Sequence, residues 1–228
     1  MRRKILIGIS IVLLISVAVI LNMNGLFKNK SSSDSAISFK KEYEVLNGKL
    51  TTSGNSYKNV DLDLSNRFVY ADFEQIKQII KGTGVVYFGF PACPWCRNSV
   101  PVIDEAAKQV GIDKIYYLNV ADIRDEKELD ADGNIVTFNE GTKEYRELLE
   151  LLNDSLPEYK GLNDSTVKRI YVPLVMTFKN GKVIDSHLST VDSQENPYID
   201  LTEEQSEELL KIYKDAFSQI SGVCNTEC

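Results

Sequence analysis

The chain has 228 residues, with 26 Lys and Arg against 33 Asp and Glu, and a formal net charge of −7. Such a field disfavours phosphate backbones and anionic lipid headgroups, and no cluster of Lys and Arg rises locally against it, so nucleic acid is not an expected partner. The length suits one folded domain plus a terminal segment, and the four cysteines fall into two close pairs, a usage that suits an oxidising compartment.

Arg2, Arg3 and Lys4 stand directly before an apolar run from Ile5 to Leu21 that no charge interrupts. Continued to Phe27, and helical at about 1.5 Å per residue, the run is long enough to cross a hydrocarbon core of about 30 Å. A cleaved signal peptide is the rival reading. Its apolar part is normally shorter and ends at a small-x-small site, which Asn22-Met23-Asn24-Gly25-Leu26-Phe27 does not offer. Residues 1–27 therefore read as a cytoplasmic tip and a transmembrane signal-anchor in the cell membrane. The basic flank before the run outweighs Lys28 and Lys30 behind it, so the rest of the chain is expected to be extracytoplasmic. Residues 28–37, with Lys30-Ser31-Ser32-Ser33-Asp34-Ser35, read as a flexible linker, and 38–228 as the folded domain.

From Phe39 to Leu64, Asn47-Gly48 and Ser53-Gly54-Asn55 cut the apolar pattern into pieces, which predicts loops and short strands. Phe68-Val69-Tyr70 predicts a strand, and Asp72 caps a helix with Phe73, Ile76, Ile79 and Ile80 on one side. Gly82-Thr83-Gly84 ends that helix as a turn. It precedes a strand instead of following one, the wrong order for a nucleotide loop. The run Val85-Val86-Tyr87-Phe88-Gly89-Phe90 is apolar on both alternate faces, as a central strand covered on both sides requires. Val100, Val102, Ile103, Ala106, Ala107 and Val110 then recur at helical spacing, and Ile115 to Val120 form a second buried strand, completing a βαβ unit.

An inserted acidic and helical segment follows around 121–168. Asp132-Gly133 marks a hairpin turn, and Tyr145, Leu148, Leu149 and Leu152 form a helical stripe that reads as core. Glu128, Asp130 and Asp132 approach a calcium-loop pattern, but Asn139 stands where a bidentate Glu is needed, so a solvated acidic turn is expected. Extended chain resumes at Ile170 and runs to Phe178, turns at Asn180-Gly181, and returns through Val183-Ile184. Thr202 with Gln205 forms a capping box before a closing helix of Leu209, Tyr213, Phe217 and Ile220. His187, with no evident carboxylate partner, reads as a surface residue.

The chemistry concentrates in Cys93-Pro94-Trp95-Cys96, where a strand hands over to a helix. A sulfur at a helix N-terminus faces unsatisfied N–H groups and the positive end of the helix dipole, which lowers its pKa. Such a thiolate attacks a disulfide, and a second cysteine one turn on is placed to resolve the mixed disulfide. A zinc site would need two further ligands, for which the chain offers only His187 and the distant Cys224 and Cys228. That last pair reads as an auxiliary disulfide, with a second redox pair, metal binding or an intermolecular link as alternatives.

Taken in order, the aromatic buried strand ending in Cys93-Pro94-Trp95-Cys96, then Pro101, then Val172-Pro173 opening a strand-turn-strand closed by Asn180-Gly181 resemble the thioredoxin superfamily from about Phe68 to Ile220. More narrowly, the chain looks like the membrane-tethered thioredoxin-like proteins of low-GC Gram-positive bacteria, including those called bacteriocin transport accessory proteins. The resemblance implies an α/β fold, a central mixed sheet flanked by helices. It implies that Cys93 is the nucleophile and Cys96 the resolving thiol, with no metal and no cofactor. Pro173 would have a cis peptide bond and would expose the Val172 backbone to substrate; Trp95 adds a flat apolar contact surface.

Two departures matter. The family's cytoplasmic reductases carry a buried aspartate that accepts a proton from the resolving thiol, and here that position is Tyr87. The dipeptide Pro94-Trp95 is neither the Gly-Pro of thioredoxins nor the Pro-His of strong periplasmic oxidants. The expected function is thus a membrane-anchored extracytoplasmic thiol-disulfide oxidoreductase. Its partners would be exported proteins bearing thiols or disulfides and a membrane redox protein, and oxidation or isomerisation is favoured over reduction. The rival is a non-catalytic accessory module that holds a client or transporter; a metal chaperone is a third reading.

Overall fold

The computed structural model describes residues 31–221. The apolar run Ile5–Phe27 and the pair Cys224 and Cys228 lie outside them, and among the described residues no helix is long and apolar enough to cross a membrane.

Strand β2, Gly84–Gly89, is buried along its whole length. It sits in the middle of a five-stranded sheet with β1 (Phe68–Tyr70), β3 (Ile115–Asn119), β6 (Leu174–Lys179) and β7 (Lys182–Leu188), in the order β1-β3-β2-β6-β7. β2 pairs parallel with β3, Tyr87 beside Tyr117, and antiparallel with β6, Tyr87 beside Val175. β1 extends the parallel side and β7 the antiparallel one. Because alternate residues face opposite ways, β2 divides the interior into two cores. Val85 and Tyr87 join the one that holds the cysteines, with α1 (Ser32–Glu44), α3 (Pro94–Val110) and α5 (Glu203–Ser218). Val86 and Phe88 join the other, with α2 (Phe73–Lys81) and α4 (Lys143–Leu152). A central mixed sheet flanked by helices is thus present, as the resemblance implied.

The caps follow from side-chain chemistry. Asp72 and Thr202 each accept the backbone N–H three residues on while Gln75 and Gln205 return the bond, closing the capping boxes of α2 and α5. Within 121–168, β4 (Glu126–Leu129) and β5 (Ile135–Asn139) form the hairpin around Asp132-Gly133. Tyr145, Leu148 and Leu152 of α4 are buried in the second core, so that stripe packs on the sheet.

Three expectations need correction. The serine-rich stretch is not a tether throughout, since α1 begins at Ser32 and places Ala36, Phe39 and Tyr43 on one buried face. Phe39 stacks on Phe68 with ring centroids 4.0 Å apart and meets Tyr117 edge-on at 4.8 Å. A stripe of three residues is too thin to stand out in a polar helix, and burial against the sheet supplies what intrinsic preference lacks. Between α1 and β1 there are no strands, only an isolated bridge of Leu50 with Ser56; the Asn47 side chain satisfies the Val60 backbone through both its amide groups instead. Finally, β6 begins only at Leu174, because Ile170 to Pro173 form no ladder.

If α1 is anchored through its aromatic face, Phe39→Ala in the full-length chain lowers the unfolding free energy by about 3–5 kcal/mol. Val45→Ala, at a position 57 % exposed, changes it by no more than about 0.5 kcal/mol. Urea titration followed by fluorescence distinguishes the two.

Candidate functional site

β2 ends at Gly89, and a short turn through Phe90, Pro91 and Ala92 delivers Cys93 to the N-terminus of α3. Cys93 is the N-cap, and Pro94 at the first helical position gives up no N–H that the helix would use. In place of the usual oxygen, the Cys93 Sγ accepts the backbone N–H of Cys96 at 3.2 Å. Both cysteines are unbridged and buried, Cys93 at 5 % exposure and Cys96 at 0 %.

Their acidities are pushed apart. A hydrogen bond from the Cys96 thiol holds the Cys93 pKa below its usual value, helped by the backbone N–H groups of Cys96 and Trp95 and by the positive charge of Arg124, all against the opposing effect of burial. Burial raises the Cys96 pKa well above the usual value, and the neighbouring Cys93 raises it further. The site thus favours charge on the Cys93 sulfur and disfavours it on that of Cys96.

The residues expected beside the sulfurs are there. The Val172–Pro173 peptide is cis, and the Cys93 thiol donates to the Val172 carbonyl at 3.7 Å. The Pro173 carbonyl is occupied by the backbone N–H of Ser189, which ties the segment to the end of β7. Trp95, at the second helical position, is half-buried, as are Phe90 and Val172, and all three pack on the core that holds the cysteines. An apolar rim thus borders the sulfur that titrates low.

His187 is not on the surface as expected. It is half-buried, its Nε2 pairs with the Thr190 carbonyl at 2.9 Å, and its ring meets Tyr213 edge-on. It stands beside the side chain of α5, away from any ligand set. Among the described residues no three His, Cys, Asp or Glu side chains are grouped as a metal site would require.

Two arginines went unnoticed in the sequence. Arg124, in the insertion, lays its guanidinium over the Phe90 ring at 4.9 Å and bears electrostatically on both cysteines. It supplies the positive charge that Pro94-Trp95 does not. Arg97, the residue after Cys96, is fully buried without a carboxylate partner. Its Nε donates to the Lys58 carbonyl at 2.6 Å, its Nη1 to the carbonyls of Tyr43 at 2.8 Å and Pro91 at 3.2 Å, and its Nη2 to the Asn47 side chain at 2.6 Å. The cation clamps the segment after α1 to the turn before Cys93. A basic residue directly after the motif was the only available signal, and nothing in the linear pattern announced acceptors as far apart as Tyr43, Asn47, Lys58 and Pro91.

No family model and no curated protein matches the chain. Among solved structures it is similar to the oxidised thioredoxin from Plasmodium falciparum, at 17 % identity and a TM-score of 0.34, over 66 % of this chain and 99 % of that one. It is likewise similar to thioredoxin O2 from Arabidopsis thaliana in the oxidised state, at 17 % identity and a TM-score of 0.34, over 57 % of this chain and 89 % of that one. At that identity and score the chemistry rests on this chain's own residues.

The pH profile of Cys93 alkylation checks the electrostatics. Its midpoint lies below that of a free thiol, because the folded site favours the thiolate. Arg124→Gln and Cys96→Ala each move the midpoint up, since each removes a group that favours the charged form; Lys143→Gln, on a side chain exposed on α4, leaves it in place.

Proposed function

We propose that the protein is a thiol-disulfide oxidoreductase in which Cys93 attacks or is attacked by client sulfur and Cys96 forms and breaks the internal disulfide. The observation that carries this reading is the pairing of a buried N-cap sulfur held toward the thiolate with a second sulfur, one helical turn on, held toward the thiol. A nucleophile and a resolving group need that division of roles. The Val172 backbone beside Cys93, and the apolar rim of Phe90, Trp95 and Val172, support docking of an extended client segment.

Oxidation or isomerisation is the favoured direction. Whatever stabilises the Cys93 thiolate stabilises the reduced protein and so makes the disulfide more oxidising. Here the stabilising groups are the Cys96 thiol, two backbone N–H groups and Arg124. We further propose that the protein works on exported proteins at the outer face of a membrane, exchanging electrons with a membrane partner, tethered by the run from Ile5 to Leu21 with Arg2, Arg3 and Lys4 inside. Cys224 and Cys228 are proposed as an auxiliary disulfide.

Trapping tests the reading. The Cys96→Ser variant, mixed with a reduced and unfolded disulfide protein and glutathione disulfide, accumulates a covalent Cys93 adduct visible by mass spectrometry, while Cys93→Ser forms none. Adducts at neither cysteine would instead favour a module that holds its client without chemistry.

A further inference from the structure

The position from which the chain's resemblance would expect an acid holds Tyr87, and its surroundings are unusual. Tyr87 lies in the central strand β2, is fully buried, and carries its hydroxyl along the strand to Gly89, the last strand residue before the cysteine turn. The space it occupies is provided by Gly89, where any Cβ would overlap the Tyr87 hydroxyl and ring edge. The ring is held by Tyr117, stacked at 5.5 Å between centroids, and by Phe68 at 5.5 Å. Its hydroxyl is 2.8 Å from that of Tyr43 on α1, lies against Gly89 at the end of β2, and shares one buried core with the Cys96 sulfur, whose charged form it favours.

We propose that Tyr87 is a catalytic hydrogen-bond donor to the Cys96 thiolate and that Tyr43, acting through it, is a positioning residue. The inference rests on the proposed oxidoreductase reading and concerns how its buried sulfur carries charge. A thiolate only accepts hydrogen bonds, so when Cys96 is ionised the Tyr87 proton points at sulfur. The Tyr87 oxygen must then accept from Tyr43, the only hydroxyl bonded to it among the described residues.

The step balances without another reagent. In the mixed disulfide, Cys96 ionises and attacks Cys93 Sγ. The Cys93–Cys96 bond forms, the bond from Cys93 to the client sulfur breaks, and the client leaves with the electron pair and takes up the proton that Cys96 lost. In the opposite direction a client thiolate attacks Cys93, and the buried Cys96 departs as a thiolate into the same hydrogen bond. Both directions place negative charge on a sulfur with 0 % exposure, where a donor is worth most. Burial keeps the Tyr87 phenol far above its usual pKa, so it donates and does not ionise. The other titratable or charged groups facing this pair are Cys93 on α3, Tyr117 on β3, Tyr213 on α5 and Arg124 in the insertion. Of these only Arg124 carries a permanent charge; neither phenol, Tyr117 or Tyr213, does.

The test follows single turnover of the reduced full-length chain, with Cys224 and Cys228 replaced by Ser in every sample, in detergent with an aromatic disulfide whose released thiolate is coloured. The first release reports attack by Cys93, and the second reports resolution by Cys96. In Tyr87→Phe the first release is unchanged, while the second slows about tenfold or more and its pH midpoint moves up, the loss expected of a hydrogen bond to a charged group. Tyr43→Phe slows the second release by a smaller factor in the same direction. Second releases at the wild-type rate and midpoint in both variants would overturn the proposal. Should Tyr87→Phe not fold, Tyr43→Phe decides alone by the same criterion. A wild-type chain without a second release, or a Cys96→Ser chain that keeps one, would sink the oxidoreductase reading instead.

Discussion

The bond from the Cys96 backbone N–H to the Cys93 sulfur, 3.2 Å long, is the contact on which the rest depends. It exists only if the sulfur sits at the first turn of a helix, and the helix starts there only because β2 stops at Gly89 and a three-residue turn intervenes. N–H groups at a helix start lack partners within the helix, and a sulfur that meets them gains most as an anion. Together with the hydrogen bond from the Cys96 thiol to Cys93 and the complete burial of Cys96, that arrangement sets the two thiols apart, one toward charge and one away from it.

Holding such a site costs buried polar surface, and the fold offsets it locally. Arg97 is a buried cation met by three carbonyls and one amide oxygen, which take up four of its five N–H donors without neutralising it. Its partners come from the last turn of α1, from the segment following it and from the turn before Cys93, so one guanidinium fastens an N-terminal element to the reacting turn. α1 contributes again through Tyr43, whose hydroxyl reaches the phenol under Cys96. The helix that the sequence disguises as linker is thereby part of the site's floor.

The central elements were legible because burial on both faces leaves a blunt trace: β2 is a continuous apolar run, and the capping boxes at Asp72 and Thr202 carry their own side-chain signature. The cysteine pair was legible because its two members are local in sequence, whereas the place of Val172 and Pro173 beside it was implied only by the resemblance. α1 was not, since Ala36, Phe39 and Tyr43 are spread through a polar stretch and gain their meaning from Phe68 and Tyr117, which come later in the chain. Nor were Arg97 and Arg124. The acceptors around the first span Tyr43 to Pro91, and the second reaches the thiols from an insertion whose composition is acidic. Tyr87 was noticed only as a missing acid. Its role as a donor depends on a glycine two residues on and on a tyrosine from another helix, pairings that no linear pattern encodes.

The central claim is that Cys93 and Cys96 form one reversible redox pair, and its most direct test is the fraction of bridged protein across a series of glutathione buffers, with Cys224 and Cys228 replaced by Ser. The account predicts a single two-electron transition at a potential above about −180 mV, among the disulfide-forming proteins. A transition near about −270 mV would reverse the proposed direction, and a pair that never exchanges with glutathione would contradict the account itself.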